Sequence, residues 1–160
     1  MKPTDCNKLL TSSIGQDLTA DDCAVLSKIA TELNLEDGEI LFSAGESTRT
    51  LYVILAGKID VTKDTTGDEY MTIHTLNKGD MAGEMGFIDG DSHSLTLRAH
   101  GSATLLCIEK DAFEALLLTH PHVVYHVMRA ITRATHHSLR RMNAQYVEMN
   151  RFINNQYTAY

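Results

Sequence analysis

The chain has no tryptophan, only two prolines, three cysteines and few aromatic residues, 6% in all. Three cysteines cannot all pair within one chain, and none lies in a C-x-x-C spacing, so no zinc or thiol redox motif is written here. Cys6, Cys23 and Cys107 are read as reduced. Cys23 falls in an apolar helical stripe and Cys107 in an apolar strand, where a thiol behaves as a small buried hydrophobe. No run approaches the ~18 uninterrupted apolar residues of a membrane-spanning helix. The N-terminus, MKPTDCNKLL, lacks the apolar run of a secretory signal, and the expected address is the cytoplasm. An excess of positive charge is missing as well. Fourteen Lys and Arg face 21 Asp and Glu, a formal net charge of -7. That balance opposes general affinity for nucleic acid, which comes mainly from neutralising phosphates.

What is present fits one folded domain: 160 residues, 43% hydrophobic and 22% charged. The charge is uneven. Residues 126–151 hold Arg129, Arg133, Arg140, Arg141 and Arg151 against Glu148 alone, so an acidic body carries a basic C-terminal segment, most simply a solvated helix face. Eight histidines raise the question of a metal. His122 and His126 are one helical turn apart, but two ligands fall short of the three or four a site needs; His136 and His137 adjoin Arg140 and Arg141.

The pattern along the chain divides it into residues 1–34, 35–110 and 111–160. Thr19 with Asp22 three residues on is a capping-box signature, and Val25, Leu26, Ile29, Ala30 and Leu33 then recur at helical spacing. From Leu35 to Ile108 the period changes to short β-type runs, Glu39–Ser43, Leu51–Leu55, Lys58–Thr62, Tyr70–Leu76, Ser94–Ala99 and Thr104–Glu109. Ala56-Gly57, Thr66-Gly67-Asp68, Lys78-Gly79-Asp80 and Asp89-Gly90-Asp91 read as turns. Without βαβ alternation the sheet is antiparallel, and the fold class is mainly β with flanking helices: a roll or jelly roll between an N-terminal helix and a long C-terminal one. Asp111 with Glu114 starts one helix, and Pro121 suits the first turn of a second. In that second helix Val124, Val127, Met128, Ile131, Ala134, Thr135, Ser138, Met142, Met149 and Phe152 form a stripe along roughly 45 Å. A small domain cannot cover such a length, which predicts a partner helix, most simply a second copy in a two-fold homodimer.

Three stretches carry a resemblance: Leu35-Glu-Asp-Gly-Glu-Ile-Leu-Phe-Ser-Ala-Gly-Glu, Leu51-Tyr-Val-Ile-Leu-Ala-Gly-Lys-Ile-Asp-Val and Asn77-Lys-Gly-Asp-Met-Ala-Gly-Glu-Met-Gly. With Gly38, Gly45, Gly57, Gly79, Gly83 and Gly86 at matching spacings, the chain from Leu18 to Met142 resembles the cyclic nucleotide-binding domain of catabolite activator proteins and kinase regulatory subunits. The resemblance implies a β-roll sensor, not an enzyme, whose ligand is a cyclic nucleotide, cAMP or cGMP, and whose binding repositions the C-terminal helices. It maps the phosphate-binding cassette onto residues 83–96. There Gly83, Glu84 and Met85 open a turn into a short helix, and Glu84 would accept a hydrogen bond from a ribose hydroxyl. Ser94 keeps a hydroxyl for the phosphate. Ser138 on the long helix matches the region that contacts the base; otherwise it is a small polar spacer between helices.

The departure from the family is His93, which stands where an arginine fork would hold the cyclic phosphate. A histidine is mostly neutral at pH 7 with a reference pKa of about 6.5. Losing a charged hydrogen bond worth about 1.5–3 kcal/mol weakens affinity about tenfold to a few hundredfold. Arg98 is expected on the opposite strand face, and Leu95 is expected beside His93, narrowing the pocket. No helix-turn-helix domain follows before Tyr160, so output is expected through the dimer helix or a downstream protein, without direct DNA binding. Two rivals differ in class. A cupin-type metalloenzyme needs converging histidines that the strands lack, since only His74 and His93 lie near strand positions. A degenerate, ligand-free module would keep the fold for dimer or partner binding, with His93 and Leu95 as its support.

Overall fold

The computed structural model describes residues 2–65 and 69–157; the expected turn at 66–68 lies outside them. Its frame is a seven-stranded, wholly antiparallel sheet organised on two long strands. These are β4 (Thr50–Asp64) and β7 (Thr96–Glu109). Along the free edge of β7 run β2 (Ala30–Leu35) and β3 (Ile40–Phe42), with the short β1 (Lys2–Pro3) outside β2. Along the free edge of β4 run β5 (Tyr70–Leu76) and β6 (Met81–Ala82). The helices are α1 (Cys6–Thr11), α2 (Ala20–Leu26), α3 (Glu84–Ile88), α4 (Lys110–Glu114) and α5 (Pro121–Tyr157), with a 3-10 turn at Gly15–Asp17. The β-roll with flanking helices expected from the pattern is the fold observed.

The apolar runs at 51–55 and 104–108 are continuous because both faces of the central strands are buried. Side chains alternate across a strand. Leu51, Val53, Leu106 and Ile108 therefore enter one core with Leu9, Ile14 and Leu26 of the N-terminal segment, Phe113, and Val123, Val127 and Ile131 of α5. Tyr52, Ile54, Leu105 and Cys107 enter the other, inside the roll, with Phe42, Ile59, Leu76 and Leu97. Full burial of such a side chain is worth about 1.5–3 kcal/mol.

Several expectations are corrected. Leu51–Leu55 and Lys58–Thr62 are one strand, because Ala56-Gly57 is a register slip and not a turn. Gly57 adopts φ +79°, and a Cβ there would lie 2.3 Å from the Ser102 carbonyl oxygen. Ser94–Ala99 and Thr104–Glu109 likewise join as β7, which begins at Thr96 and passes through Gly101 at φ +71°. The helix expected to run past Leu26 stops there, and Ala30–Leu35 pairs with Ile108–Ala103 of β7. A six-residue ladder along an open edge outweighs an apolar spacing that fits either period. The Thr19–Asp22 capping box is formed, both hydrogen bonds present. Cys6 and Cys23 are not reduced but joined as a disulfide between α1 and α2. Cys23 and Cys107 are buried as expected, and burial pushes the Cys107 thiol up to about 12.

The long helix carries two faces where the sequence suggested one stripe. Val123, Val127, Ala130 and Ile131 pack into the body's own core. Asp17 there receives both Arg129 (3.1 Å) and Arg133 (2.8 Å), and Asp22 meets His126 Nδ1 at 2.8 Å. Part of the basic run is thus paired, and His126 bonds a carboxylate. A different flank, with Leu139, Met142, Tyr146, Met149 and Ile153, is exposed.

Candidate functional site

A cavity of about 440 Å³ opens between the roll, the β6–α3 turn and α5. The turn is shaped by glycine. Gly83 is the N-cap of α3 at φ +78°, and a Cβ on it would sit 2.5 Å from the Thr50 carbonyl oxygen. A Cβ on Gly86 would meet the Thr48 carbonyl oxygen at 2.5 Å and His93 Cε1 at 3.1 Å. Two bare α-carbons therefore let α3 lie directly on the start of β4. Phe87 locks it there, buried against Phe113 with ring centroids 5.3 Å apart.

All six residues singled out from the sequence line this one cavity: Gly83, Glu84, Met85, His93, Ser94 and Ser138. Burial raises the Glu84 pKa above the usual carboxylate value; a hydrogen bond from its own backbone N–H opposes this, and the nearby Asp80 adds to it. Met85 is exposed at the rim. Ser138 lines the cavity from α5, one turn before Met142, whose exposed side chain borders it too. Apolar walls come from Val61, Ile73, Leu76, Leu97 and Leu95, the last placed beside His93 as expected.

His93 is held more tightly than its sequence position suggests. It precedes β7, and its backbone is pinned to the 45–46 loop, with its N–H donating to the Glu46 carbonyl (2.7 Å) and its carbonyl accepting from the Gly45 N–H (2.7 Å). The ring stacks on Phe42, centroids 3.7 Å apart at 19°. Nε2 lies 2.6 Å from Thr48 Oγ1 and also accepts from the Thr48 N–H at 3.4 Å. The Thr48 N–H aimed at Nε2 assigns that nitrogen as the ring's acceptor, the neutral tautomer with its proton on Nδ1. Burial pushes the His93 pKa below the usual imidazole value, against a smaller upward pull from Glu46. Arg98 is outside the cavity, as expected. Its Nη1 donates to the Gly38 carbonyl (2.9 Å) and its guanidinium lies 4.8 Å from the Tyr70 ring centroid.

Three lining residues of α5 escaped the sequence reading as a group: Arg141, Met142 and Gln145. They follow Ser138 by three, four and seven positions, one helical face, and that spacing was the available signal. Arg141 sits 3.6 Å from Asp80 Oδ2. Nearby, His74 Nε2 is buried with no hydrogen-bond partner among the described residues. Burial lowers the His74 pKa, with a further downward push from Arg141 and an upward one from Asp80. Among the described residues no three His, Cys, Asp or Glu side chains are grouped to hold a metal ion, and no helix is long and apolar enough to cross a membrane.

A roll whose cavity is walled by a glycine-rich turn and roofed by a C-terminal helix defines a ligand-cavity β-roll domain. The family described as "Cyclic nucleotide-binding domain" matches residues 32–120. The chain belongs to the cyclic nucleotide-binding domain family. It is 30% identical over 105 residues to the cAMP-activated global transcriptional regulator CRP of Pasteurella multocida, covering 64% of this chain and 50% of that protein. It is 24% identical over 94 residues to lysophospholipase NTE1 of Phaeosphaeria nodorum, covering 59% of this chain and 6% of that protein. The chain thus spans half or less of these relatives' length. Among solved structures, a cyclic nucleotide-binding domain from Methylobacillus flagellatus superposes with a TM-score of 0.81 at 20% identity, over 90% of this chain and 83% of that one. The regulatory domain of Toxoplasma gondii PKA, crystallised with cAMP, gives 0.63 at 19%, over 80% and 48%. Both structural likenesses concern the fold.

Proposed function

We propose that this domain is a non-enzymatic regulatory sensor that binds a cyclic nucleotide, cAMP or cGMP, in the 440 Å³ cavity and signals through α5. The observation that supports it is convergence. Gly83, Glu84, Met85, His93 and Ser94 from the cassette and Ser138 from the long helix surround one space, although 55 residues separate the first from the last. In this reading the cassette residues bind the sugar and phosphate, and Ser138 meets the base. The names of the similar proteins support the ligand class: the Pasteurella multocida regulator is cAMP-activated, and the Toxoplasma gondii domain was crystallised with cAMP.

The output surface in this reading is the exposed flank of α5. Tyr125, Thr132, Thr135, Leu139, Met142, Tyr146, Met149 and Ile153 recur in steps of three, four and seven, the seam of a two-stranded coiled coil. A homodimer through that seam, able to engage a downstream protein and not DNA, follows from it and from the net charge of -7. The proposed address is the cytoplasm, where the Cys6–Cys23 pair stands against a reducing poise.

Titration calorimetry and thermal shift with cAMP, cGMP and cyclic dinucleotides test the reading. Saturable heat with a mononucleotide is the expected result. No heat and no shift at millimolar ligand favours the second reading, a ligand-free interaction module, for which the Phe42 stack and Thr48 bond already engaging His93 are the supporting observation.

A further inference from the structure

The proposed sensor has an electrostatic problem. A phosphodiester brings a full negative charge into a space whose acidic wall is Glu84 and whose other walls are mostly apolar. Burying an uncompensated anion is expensive, so a cation has to face it. The basic side chains lining the cavity are His74, His93 and Arg141. His93 presents its acceptor nitrogen to Thr48, and both imidazoles are held below their usual pKa by burial, so neither supplies charge at pH 7. The third, Arg141, carries a guanidinium, whose planar fork suits a phosphate.

We propose that Arg141, carried by α5, is the cation that holds the anionic group of the ligand, in place of the arginine that position 93 lacks. The inference rests on the cyclic-nucleotide reading for the identity of the ligand, but not for the anion site itself. Arg141 is free to do this. Its contact with Asp80 is long at 3.6 Å, and Asp80 Oδ2 already accepts from the Asn77 N–H at 2.9 Å, so the carboxylate keeps a partner when the guanidinium turns away. Arg141 also borders a second cavity of about 590 Å³, lined by Arg133, His137 and Arg140 on its far side. Among the residues lining that second cavity Asp80 is the one carboxylate, so no other acidic side chain there competes for the guanidinium. His74 Nε2, buried without a partner beside Arg141, is available to the same anion if its ring places a proton there. Because Arg141 is part of α5, the charge that recognises the ligand is the helix that reports it. Binding and helix positioning then become one event, with no relay through the cassette.

Calorimetry of the full chain with cAMP tests this on the wild type, Arg141→Gln, Arg141→Lys and Asp80→Asn, with circular dichroism as the folding control. Arg141→Gln is expected to weaken binding at least tenfold and to flatten the dependence of log Kd on log salt. Arg141→Lys is expected to restore part of both, and Asp80→Asn to tighten binding by releasing the guanidinium. Equal cAMP affinity and salt slope in wild type and Arg141→Gln overturns the proposal. If cAMP fails to bind the wild type, the cyclic-nucleotide reading falls by itself, and inorganic phosphate becomes the probe. A phosphate-induced rise in Tm that Arg141→Gln removes upholds the anion site; an equal rise in both proteins, or none in either, overturns it.

Discussion

Replacing His93 by arginine pulls stability and affinity in opposite directions, and the structure sets both magnitudes. In the unliganded protein the change removes the Phe42 stack, worth about 0.5–1.5 kcal/mol, and the bond to Thr48, worth another ~0.5–1.5 kcal/mol. A guanidinium lying on Phe42 returns about 0.5–1 kcal/mol of cation–π attraction. The net loss is centred on ~1 kcal/mol, between about 0 and 2.5 kcal/mol, a fall in Tm of roughly 2–4 °C at the centre for a domain of this size. With ligand present the same arginine adds charge-assisted hydrogen bonds of about 1.5–3 kcal/mol, so the Kd for cAMP falls roughly 10- to 150-fold. Thermal unfolding of the unliganded variant and calorimetry with cAMP read the two effects separately. A folded variant with unchanged or weaker affinity refutes the placement of position 93 against the ligand's anion. A Tm above that of the wild type refutes the structural hold on the ring.

Stability also follows pH. His74 and His93 have folded pKa values below the 6.5 of an unfolded histidine, so between those values the unfolded chain binds more protons. Stability is therefore full above about pH 6.5 and falls as pH drops through the folded values. Burial pushes Asp22 and Asp60 up, but hydrogen bonds from Thr19 and His126, and from Thr75 and His100, outweigh it, so a further loss follows below their unfolded value of 3.8. Glu84, raised, has the opposite sign: its contribution is present at low pH and lost as pH rises through its folded value. A urea midpoint that does not change between pH 7.5 and 5 would contradict the histidine part of this account. Gly83→Ala places a Cβ 2.5 Å from a carbonyl oxygen in a left-handed conformation and should cost more than 2 kcal/mol, whereas Gly79→Ala, at φ +92° with open space, should cost only ~1–2 kcal/mol. Equal urea midpoints for the two variants would contradict the close approach. Sedimentation should find a dimer that Leu139→Glu with Tyr146→Glu converts to a monomer of unchanged helicity; an unaltered dimer would move the interface elsewhere.

Local chemistry was legible from the residues. The Thr19–Asp22 box, the limits of β5 and the start of α5 at Pro121 each depend on neighbours within a few positions. What escaped is set by distant partners. Ala30–Leu35 becomes a strand because β7 offers an edge, Met81–Ala82 is too short to show a period, and Gly57 is a bulge because Ser102 lies against it. Cys6 and Cys23 meet only through the packing of α1 on α2. The site divides in the same way. Its glycine-rich turn could be placed from the sequence, but the partners of His93, namely Phe42 and Thr48, come from elements 51 and 45 residues away.

The burial profile of α5 explains why a ligand in this cavity would act on the distal half of the helix. From Val123 to Arg133 the helix inserts four buried side chains into the core, Asp17 pairs with Arg129 and Arg133, and Asp22 bonds His126. Moving that half would expose several side chains worth about 1.5–3 kcal/mol each. Beyond Arg133 none of the described side chains of α5 is buried, although Ala134 still packs on the core, and the Arg141–Asp80 pair at 3.6 Å ties this part to the roll. A half-exposed pair of that length contributes at most ~1 kcal/mol. Ser138, Arg141, Met142 and Gln145 all project from this distal half onto the cavity. A ligand worth even a few kcal/mol there would outweigh that pair while leaving the proximal half in place. The response is then confined to the segment that also carries Leu139, Met142, Tyr146 and Met149 on its exposed flank.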